Sequence, residues 1–301
     1  MDIRKIDFHR KSVSRLQKET YKFSILIPSW NNMAYLKTCI SSIRKNSRYE
    51  HQIIVHINDG SDGTKDWVKE NIPDYTLSES NTGVCFAFNA AASLAVSDYL
   101  VLIDDDNYLL PDWDYWLWEE IQKIGHPYFA VSATKIEHKK TFNQCVIAPF
   151  DYGLTLDSFK EAKLLKTYKE LQINDWNGSS WYPMAIHKHI WNLVGGMSVE
   201  YTPGMYSDPD FMMKLWKAGV RYYKGVSKSR CYHFMSQSVR RIKKNNGRKQ
   251  FLLKWGMSNS TFRDYYLKMG GDFKGYLTEP EMNIKLKARL FRDKLKILFS
   301  F

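Results

Sequence analysis

The sequence predicts an α/β fold, with a mostly parallel central sheet flanked by helices. Short apolar runs alternate with helix-patterned stretches through residues 21–110, the pattern of strands joined by crossover helices. The chain has 301 residues, room for one large domain or two small ones at roughly 150 residues each. Polar clusters sit where the apolar runs end, and in such sheets ligands bind beyond the carboxyl ends of the strands.

Residues 1–20 are polar and basic and read as a surface arm or helix. Residues 23–28 form an apolar run stopped by Pro28, a buried strand. Asn31 or Asn32 then caps a helix whose apolar face is Leu36, Cys39, Ile40 and Ile43. Residues 52–57 are a second strand, running into Asn58-Asp59-Gly60-Ser61-Asp62-Gly63-Thr64, a loop of turn residues. A helix starts near Thr64 and ends before Pro73. A short strand over 75–78 leads to Asn81-Thr82-Gly83, and the alanine-rich stretch 84–96 is helical by propensity. Residues 99–103 form a strand that ends in Asp104-Asp105-Asp106-Asn107. The second half is less regular. It offers a strand over 128–136, helices over 158–171 and 208–218, one long helix over 248–269 and another over 283–299.

Hydrophobic residues make up 44% and charged residues 25%, which excludes disorder, collagen and coiled coil. No run approaches the roughly 18 apolar residues of a spanning helix. The opening segment lacks an apolar core, so no secretory signal is expected and a cytoplasmic location is. The four cysteines are far apart with no CxxC pair, against a disulfide scaffold or a zinc site. Net charge is +12 and uneven. From Arg221 onward there are 20 basic against 5 acidic residues, so the remainder is slightly acidic. The basic part should face phosphate, lipid headgroups or nucleic acid.

Three consecutive carboxylates after an apolar strand repel one another unless a cation sits among them. Hard oxygen ligands suit Mg²⁺ or Mn²⁺, which in turn neutralise a diphosphate. With Ser29-Trp30-Asn31 and Asn58-Asp59 at the neighbouring strand ends, the cluster marks a site rather than an acidic turn.

On these motifs the chain resembles a family 2 glycosyltransferase with a GT-A fold, a Rossmann-like, mostly parallel sheet flanked by helices. Ile27-Pro28-Ser29-Trp30-Asn31 resembles that family's first-strand signature, with Trp30 where Tyr or Phe is usual. Ile57-Asn58-Asp59-Gly60-Ser61-Asp62-Gly63-Thr64 resembles its acidic loop, with Asn58 replacing the first acid. Asn81-Thr82-Gly83 with Ala87-Phe88-Asn89 resembles a helix start, and Ile103-Asp104-Asp105-Asp106-Asn107 with Pro111 the DxD segment. Gly195-Gly196-Met197 with Asp208-Pro209-Asp210-Phe211 resembles the acceptor-side region. The resemblance covers 23–223 in order and implies roles. Asp59 would read the base, most often uracil. Pro28, Ser29, Trp30 and Asn31 would line the base and ribose pocket, with Gly83 and Asn89 beside it. Asp104 and Asp105 would lie at the nucleotide-sugar, and Asp104 and Asp106 at the metal, Mn²⁺ or Mg²⁺. Asp208 would be the general base of an inverting transfer, which needs one carboxylate to take the acceptor's proton as the hydroxyl attacks. Asp210 is its rival and an acceptor-side candidate.

Further candidates come from the residues themselves. His233 reads as a metal or phosphate contact, or as a core histidine. Arg240 and Arg241, with Lys243 and Lys244, read as a basic loop that closes over the diphosphate. Trp176 and Trp181 flank Gly178 and are candidates to stack on an acceptor sugar. The QxxRW signature of processive synthases is absent, so one sugar per encounter is expected. On a helical wheel of the last segment, Ile284, Ala288, Phe291, Leu295, Leu298 and Phe299 share one face flanked by lysines and arginines, the mark of a membrane-surface helix or of one docked on protein.

The expected division is a polar arm over 1–20, a catalytic domain over 21–235 and a basic, mainly helical C-terminal extension over 236–301. Within the domain, 21–110 is the nucleotide-sugar half and 111–235 the acceptor half. The expected activity is metal-dependent inverting transfer of a single sugar, most often from a UDP-sugar, to a lipid-linked or cell-surface glycan at the inner face of a membrane. Transfer to a nucleic acid, such as hydroxylated bases in DNA, is the alternative. A non-catalytic sugar- or nucleic-acid-binding protein on the same fold is the second.

Overall fold

The structure, a computed structural model, describes residues 6–10, 20–178, 182–236 and 245–299. Its centre is a mixed sheet in the order β1-β4-β3-β2-β5-β10-β7-β11-β6, with β8 on β7 and β9 on β11. The first half is laid down as expected: β2 (Ser24–Trp30), β3 (Gln52–Asn58), β4 (Asp74–Ser78) and β5 (Tyr99–Leu102) are mutually parallel. Between them run α1 (Met33–Asn46), α2 (Thr64–Asn71) and α3 (Val84–Ser93). Strand order reverses at β2, which has β3 on one side and β5 on the other. That reversal opens a crevice at the strand ends.

The second half is mostly antiparallel where it joins. β10 (Met184–His187) runs antiparallel to both β5 and β7 (Phe129–Glu137). The long β11 (Tyr222–His233) is parallel to β7 and antiparallel to β6 (Asn107–Leu109). β8 is Val146–Ile147 and β9 Trp176–Asn177. The helices are α4 (Trp113–Ile124), α5 (Glu161–Thr167), α6 (Lys188–Leu193), α7 (Ser207–Lys217), α8 (Gly247–Trp255) and α9 (Ile284–Leu298).

Alternation along the strands builds two cores. Ile25, Ile27, Val55, Ile57, Val101 and Ile103 face one side, against α1 and α4. Leu26, Ile54, Leu100 and Leu102 face the other, against α3 and α7. Successive side chains point to opposite faces of a strand, so strands covered on both faces read as unbroken apolar runs.

Three expectations are corrected. Residues 6–10 are neither loose arm nor helix but an edge strand, β1 (Ile6–Arg10), antiparallel to β4. The long helix expected over 248–269 is broken: α8 stops at Gly256 in the left-handed region, a helical turn follows at Asn259–Thr261, and a π-helical turn at Phe262–Tyr266. The basic extension is not a separate body, because Phe251, Phe262, Leu267 and Leu277 lie in the same core as Phe211, Trp216 and Tyr223.

Candidate active site

A cavity of about 770 Å³ opens at the strand ends, within the usual range for a small-molecule site. Pro28, Ser29, Trp30, Asn58 and Gly83 line it, with Asp104, Asp105, Asp106 and His233 as an aspartate floor, and Tyr182 and Asp208 line it as well.

The three carboxylates are held differently. Asp105 accepts hydrogen bonds from Ser29 Oγ at 2.7 Å and Asn32 Nδ2 at 2.9 Å. Burial, with Asp106 beside it, pushes its pKa up to about 7. Asp106 is buried too, which opposes ionisation, but His233, Lys135 and the donor Ser236 N together pull it down to about 2. Ser236 N donates to Asp106 Oδ2 at 2.7 Å. Asp104 Oδ2 sits 3.1 Å from Lys135 Nζ.

His233 belongs to this cluster rather than to the core. Strand pairing sets it opposite Glu137 on β7 and Asn107 on β6. Glu137 Oε1 lies 2.8 Å from its Nδ1, and its Nε2 lies 3.5 Å from Asp106 Oδ1. A carboxylate that holds one ring nitrogen and aims the other is the usual support behind a metal-ligating histidine. One ligand atom each of Asp104, Asp106 and His233 falls within 4.8 Å of the others. Two carboxylates and an imidazole suit Mn²⁺ or Mg²⁺, the imidazole favouring Mn²⁺.

Asp208 lies in the first turn of α7 but does not cap it: the N-cap is Tyr206, which makes no side-chain cap. Its Oδ1 instead accepts from Tyr182 Oη at 2.9 Å. Its enclosed position, then the charge of Asp104, push its pKa up to about 6, while Tyr182 and Lys135 restrain the rise. A carboxyl group poised there can take a proton near neutral pH.

The loop residues are strained in a way that serves the crevice. Asn31 and Asp59, at the ends of β2 and β3, both adopt positive φ, 46° and 64°. Such values are uncommon outside glycine and gather at functional sites. Asn31 Nδ2 donates to Asp59 Oδ2 at 2.8 Å, locking the two loops together. Asn58 takes its inward role as an acceptor, from Thr82 N and Thr82 Oγ1, both at 2.9 Å. At Gly83, φ is 83° and a Cβ would lie 3.0 Å from the Pro203 backbone, so only glycine fits.

Asn31, expected in the base and ribose pocket, is not among the residues that line the cavity, and four further sequence candidates fall elsewhere. Asn89 binds Met197 N and Met197 O, clamping the glycine pair Gly195-Gly196 rather than facing the cavity. Asp210 is fully buried, accepting from Trp255 Nε1 at 2.8 Å and pairing with Lys254 at 2.9 Å. It therefore ties α7 to α8 and does not reach an acceptor. Trp176 is also core: its indole lies on Gly225, where a Cβ would collide with the ring, and Nε1 donates to Thr134. Asp59 holds Asn31 behind the rim and is not among the cavity-lining residues. Trp181, Arg240 and Arg241 lie outside the described residues.

Sequence reading missed Lys135, Glu137 and Tyr182. Lys135 and Glu137 stand two apart in a fully buried strand, so they share a face; that spacing was the available signal. Nothing local singled out Tyr182.

Among known proteins, an uncharacterized glycosyltransferase of Mycoplasma genitalium is 30% identical over 101 residues, covering 31% of this chain and 34% of that one. Chondroitin synthase of Pasteurella multocida is 34% identical over 94 residues, 30% of this chain and 10% of that one. The matches thus span about a third or less of the curated relatives. Of solved structures, S. aureus TarS 1–349 superposes with a TM-score of 0.54 at 12% identity, covering 93% of this chain and 72% of that one. Its complex with UDP-GlcNAc gives 0.52 at 14% identity, covering 93% and 73%. These likenesses show a GT-A-like fold. The family profile "Glycosyl transferase family 2" matches residues 24–190, the stretch that holds β2 to β10 and the aspartate floor, and the chain belongs to that family.

Proposed function

We propose that the protein is an inverting glycosyltransferase that moves one sugar from a nucleotide-sugar, a UDP-sugar first, to an acceptor hydroxyl. The observation that carries this reading is one cavity lined both by Asp104, Asp106 and His233, a cluster that could hold a metal ion, and by a separate carboxylate, Asp208, poised near neutral pH. UDP-GlcNAc bound to the similarly folded TarS supports the choice of donor.

The nucleoside would lie along Pro28, Ser29, Trp30 and Asn58, its diphosphate reaching the floor. Asp104, Asp106 and His233 would hold Mn²⁺ or Mg²⁺, which when bound neutralises charge on the departing diphosphate. Lys135 adds a fixed positive charge at the same place. Asp208 Oδ takes the proton of the acceptor hydroxyl as its oxygen attacks C1, and Tyr182 fixes the carboxylate's orientation. The C1–oxygen bond to the diphosphate breaks as the new bond forms on the opposite face, so the anomeric configuration inverts.

Asp106→Ala tests the floor. Calorimetric titration of UDP with and without Mn²⁺ should show that wild type gains affinity from the metal and that the variant gains none. A variant that keeps the Mn²⁺-dependent gain removes Asp106 from metal binding.

A further inference from the structure

We propose that the outward face of α9 docks on an anionic lipid surface. The helix is apolar on two opposite sides. Its inner side is pinned: Leu286 and Asp293 are fully buried, and Asp293 Oδ2 accepts from Ser258 N and Ser258 Oγ, both at 2.8 Å, and from Thr261 Oγ1. That grip fixes the rotation of the helix and turns the other stripe away from the protein. There Ile284 is 86% exposed, Phe291 61%, Leu298 71% and Phe299 83%. At 284, 291 and 298 they recur every seven residues, with Ala288 and Leu295 between, one continuous line along the helix. Lys285 and Arg292 flank the line on one side and Lys287 and Lys294 on the other. Among the described residues the ion pairs of α9 are Arg289–Asp264 and Lys296–Asp293, neither of which uses those four cations.

The chemistry selects the occupant. A second copy of this chain would bring the same basic flanks and repel. A nucleic acid would satisfy the charge but leave four large apolar side chains in water. A bilayer with anionic headgroups takes both, the stripe entering the acyl boundary while the cations meet the headgroups. Among the described residues no helix is long and apolar enough to cross a membrane, so this contact would be peripheral. The position also fits the proposed transfer, on which this last point alone rests: Ser258, held by Asp293, adjoins Asn259, which lines the cavity. Docking α9 would hold the cavity near the lipid surface, on the protein side of the helix.

Flotation of the full chain with vesicles of phosphatidylcholine, alone or mixed with phosphatidylglycerol, tests the proposal. Wild type should float with the mixed vesicles and far less with phosphatidylcholine alone, and salt should weaken the binding only in part. Replacing Phe291→Asp together with Leu298→Asp should lower the partition coefficient at least about tenfold. Lys287→Glu with Lys294→Glu should do the same. Because all four side chains are on the surface, melting temperature and hydrolysis of the donor sugar in solution should stay unchanged. That separates a failed docking surface from a failed glycosyltransferase. Three results would overturn the proposal. One is an aspartate pair that floats like wild type. Another is a chain that binds duplex DNA with a steep salt dependence and does not float. The third is a lipid-free dimer in sedimentation that the aspartate pair dissolves.

Discussion

Asp208 can act only as a carboxylate, and its surroundings set the pH at which it becomes one. With its pKa held up to about 6 by enclosure and by Asp104, the reactive form is lost as pH falls through that value. The acid limb of kcat/KM should therefore lie near pH 6. Tyr182→Phe removes a hydrogen bond to the charged form and should move the limb up by about one pH unit. Asp208→Asn should cut turnover about 10²–10⁴-fold with UDP affinity retained, and near-normal turnover would exclude it as the base. Lys135 shapes the floor in the opposite sense. Burial disfavours its charge, but Asp104 and its acidic neighbours outweigh that and hold its pKa up, so a cation is built in beside Asp104. Lys135→Met frees Asp104 and removes a repelling charge. Mn²⁺ should then bind at least about tenfold more tightly by calorimetry, while metal-free UDP affinity falls. Unchanged affinities would show that Lys135 merely fills space. The aspartates were legible because acids clustered at a strand end have few structural uses. Lys135 was not, because its spacing with Glu137 marks a shared face but carries no sign of Asp104, which the fold brings to it from beyond the end of β5.

The elements that form the front of the sheet were legible because their pattern and their burial agree. The face Leu36, Cys39, Ile40 and Ile43 is the face α1 buries. Asn32 begins that helix, yet its side chain is spent on Asp105, and Asp62 Oδ2 accepts from Met33 N instead. Capping residues read from sequence can thus be diverted by a site. β1 was not legible, since Ile6-Asp7-Phe8-His9-Arg10 is polar enough to pass for an arm and becomes a strand only by pairing with β4. The break at Gly256 is set by the backbone: a glycine at φ 69° ends α8, as helices commonly end. What joins α8 to α7 is Asp210. Asp210→Ala leaves the Trp255 N–H without its acceptor and takes one of two carboxylates from Lys254, which keeps Glu200, and should cost about 1–3 kcal/mol. Urea unfolding measures this. Donor binding should be spared, since Asp210 does not face the cavity; a lost donor site with unchanged stability would reverse that assignment.

At the scale of the whole molecule, charge and packing divide the chain differently. Charge changes sign near residue 221 and invites a boundary between an acidic enzyme and a basic tail. Packing ignores that boundary. The aromatic rings of Trp216, Phe262 and Tyr266 meet edge to face, and Phe251 and Leu277 close the core over Phe211 and Tyr223. Each such side chain contributes about 1.5–3 kcal/mol by leaving water, comparable in sum with the roughly 5–15 kcal/mol stability of a typical domain. A chain ending at Ser236 should therefore lose its cooperative fold, exposing Phe211, Trp216 and Tyr223. A chain ending at Pro280 keeps those contacts. It gives up mainly Leu286 and the buried Asp293 with the three hydrogen bonds it accepts, so it should still melt in a single transition, at a lower temperature. Its donor binding should survive, because no residue of the aspartate floor lies beyond His233. Calorimetry of both truncations decides between one core and two: a stable, nucleotide-binding chain ending at Ser236 would show that the basic segment is an appendage after all.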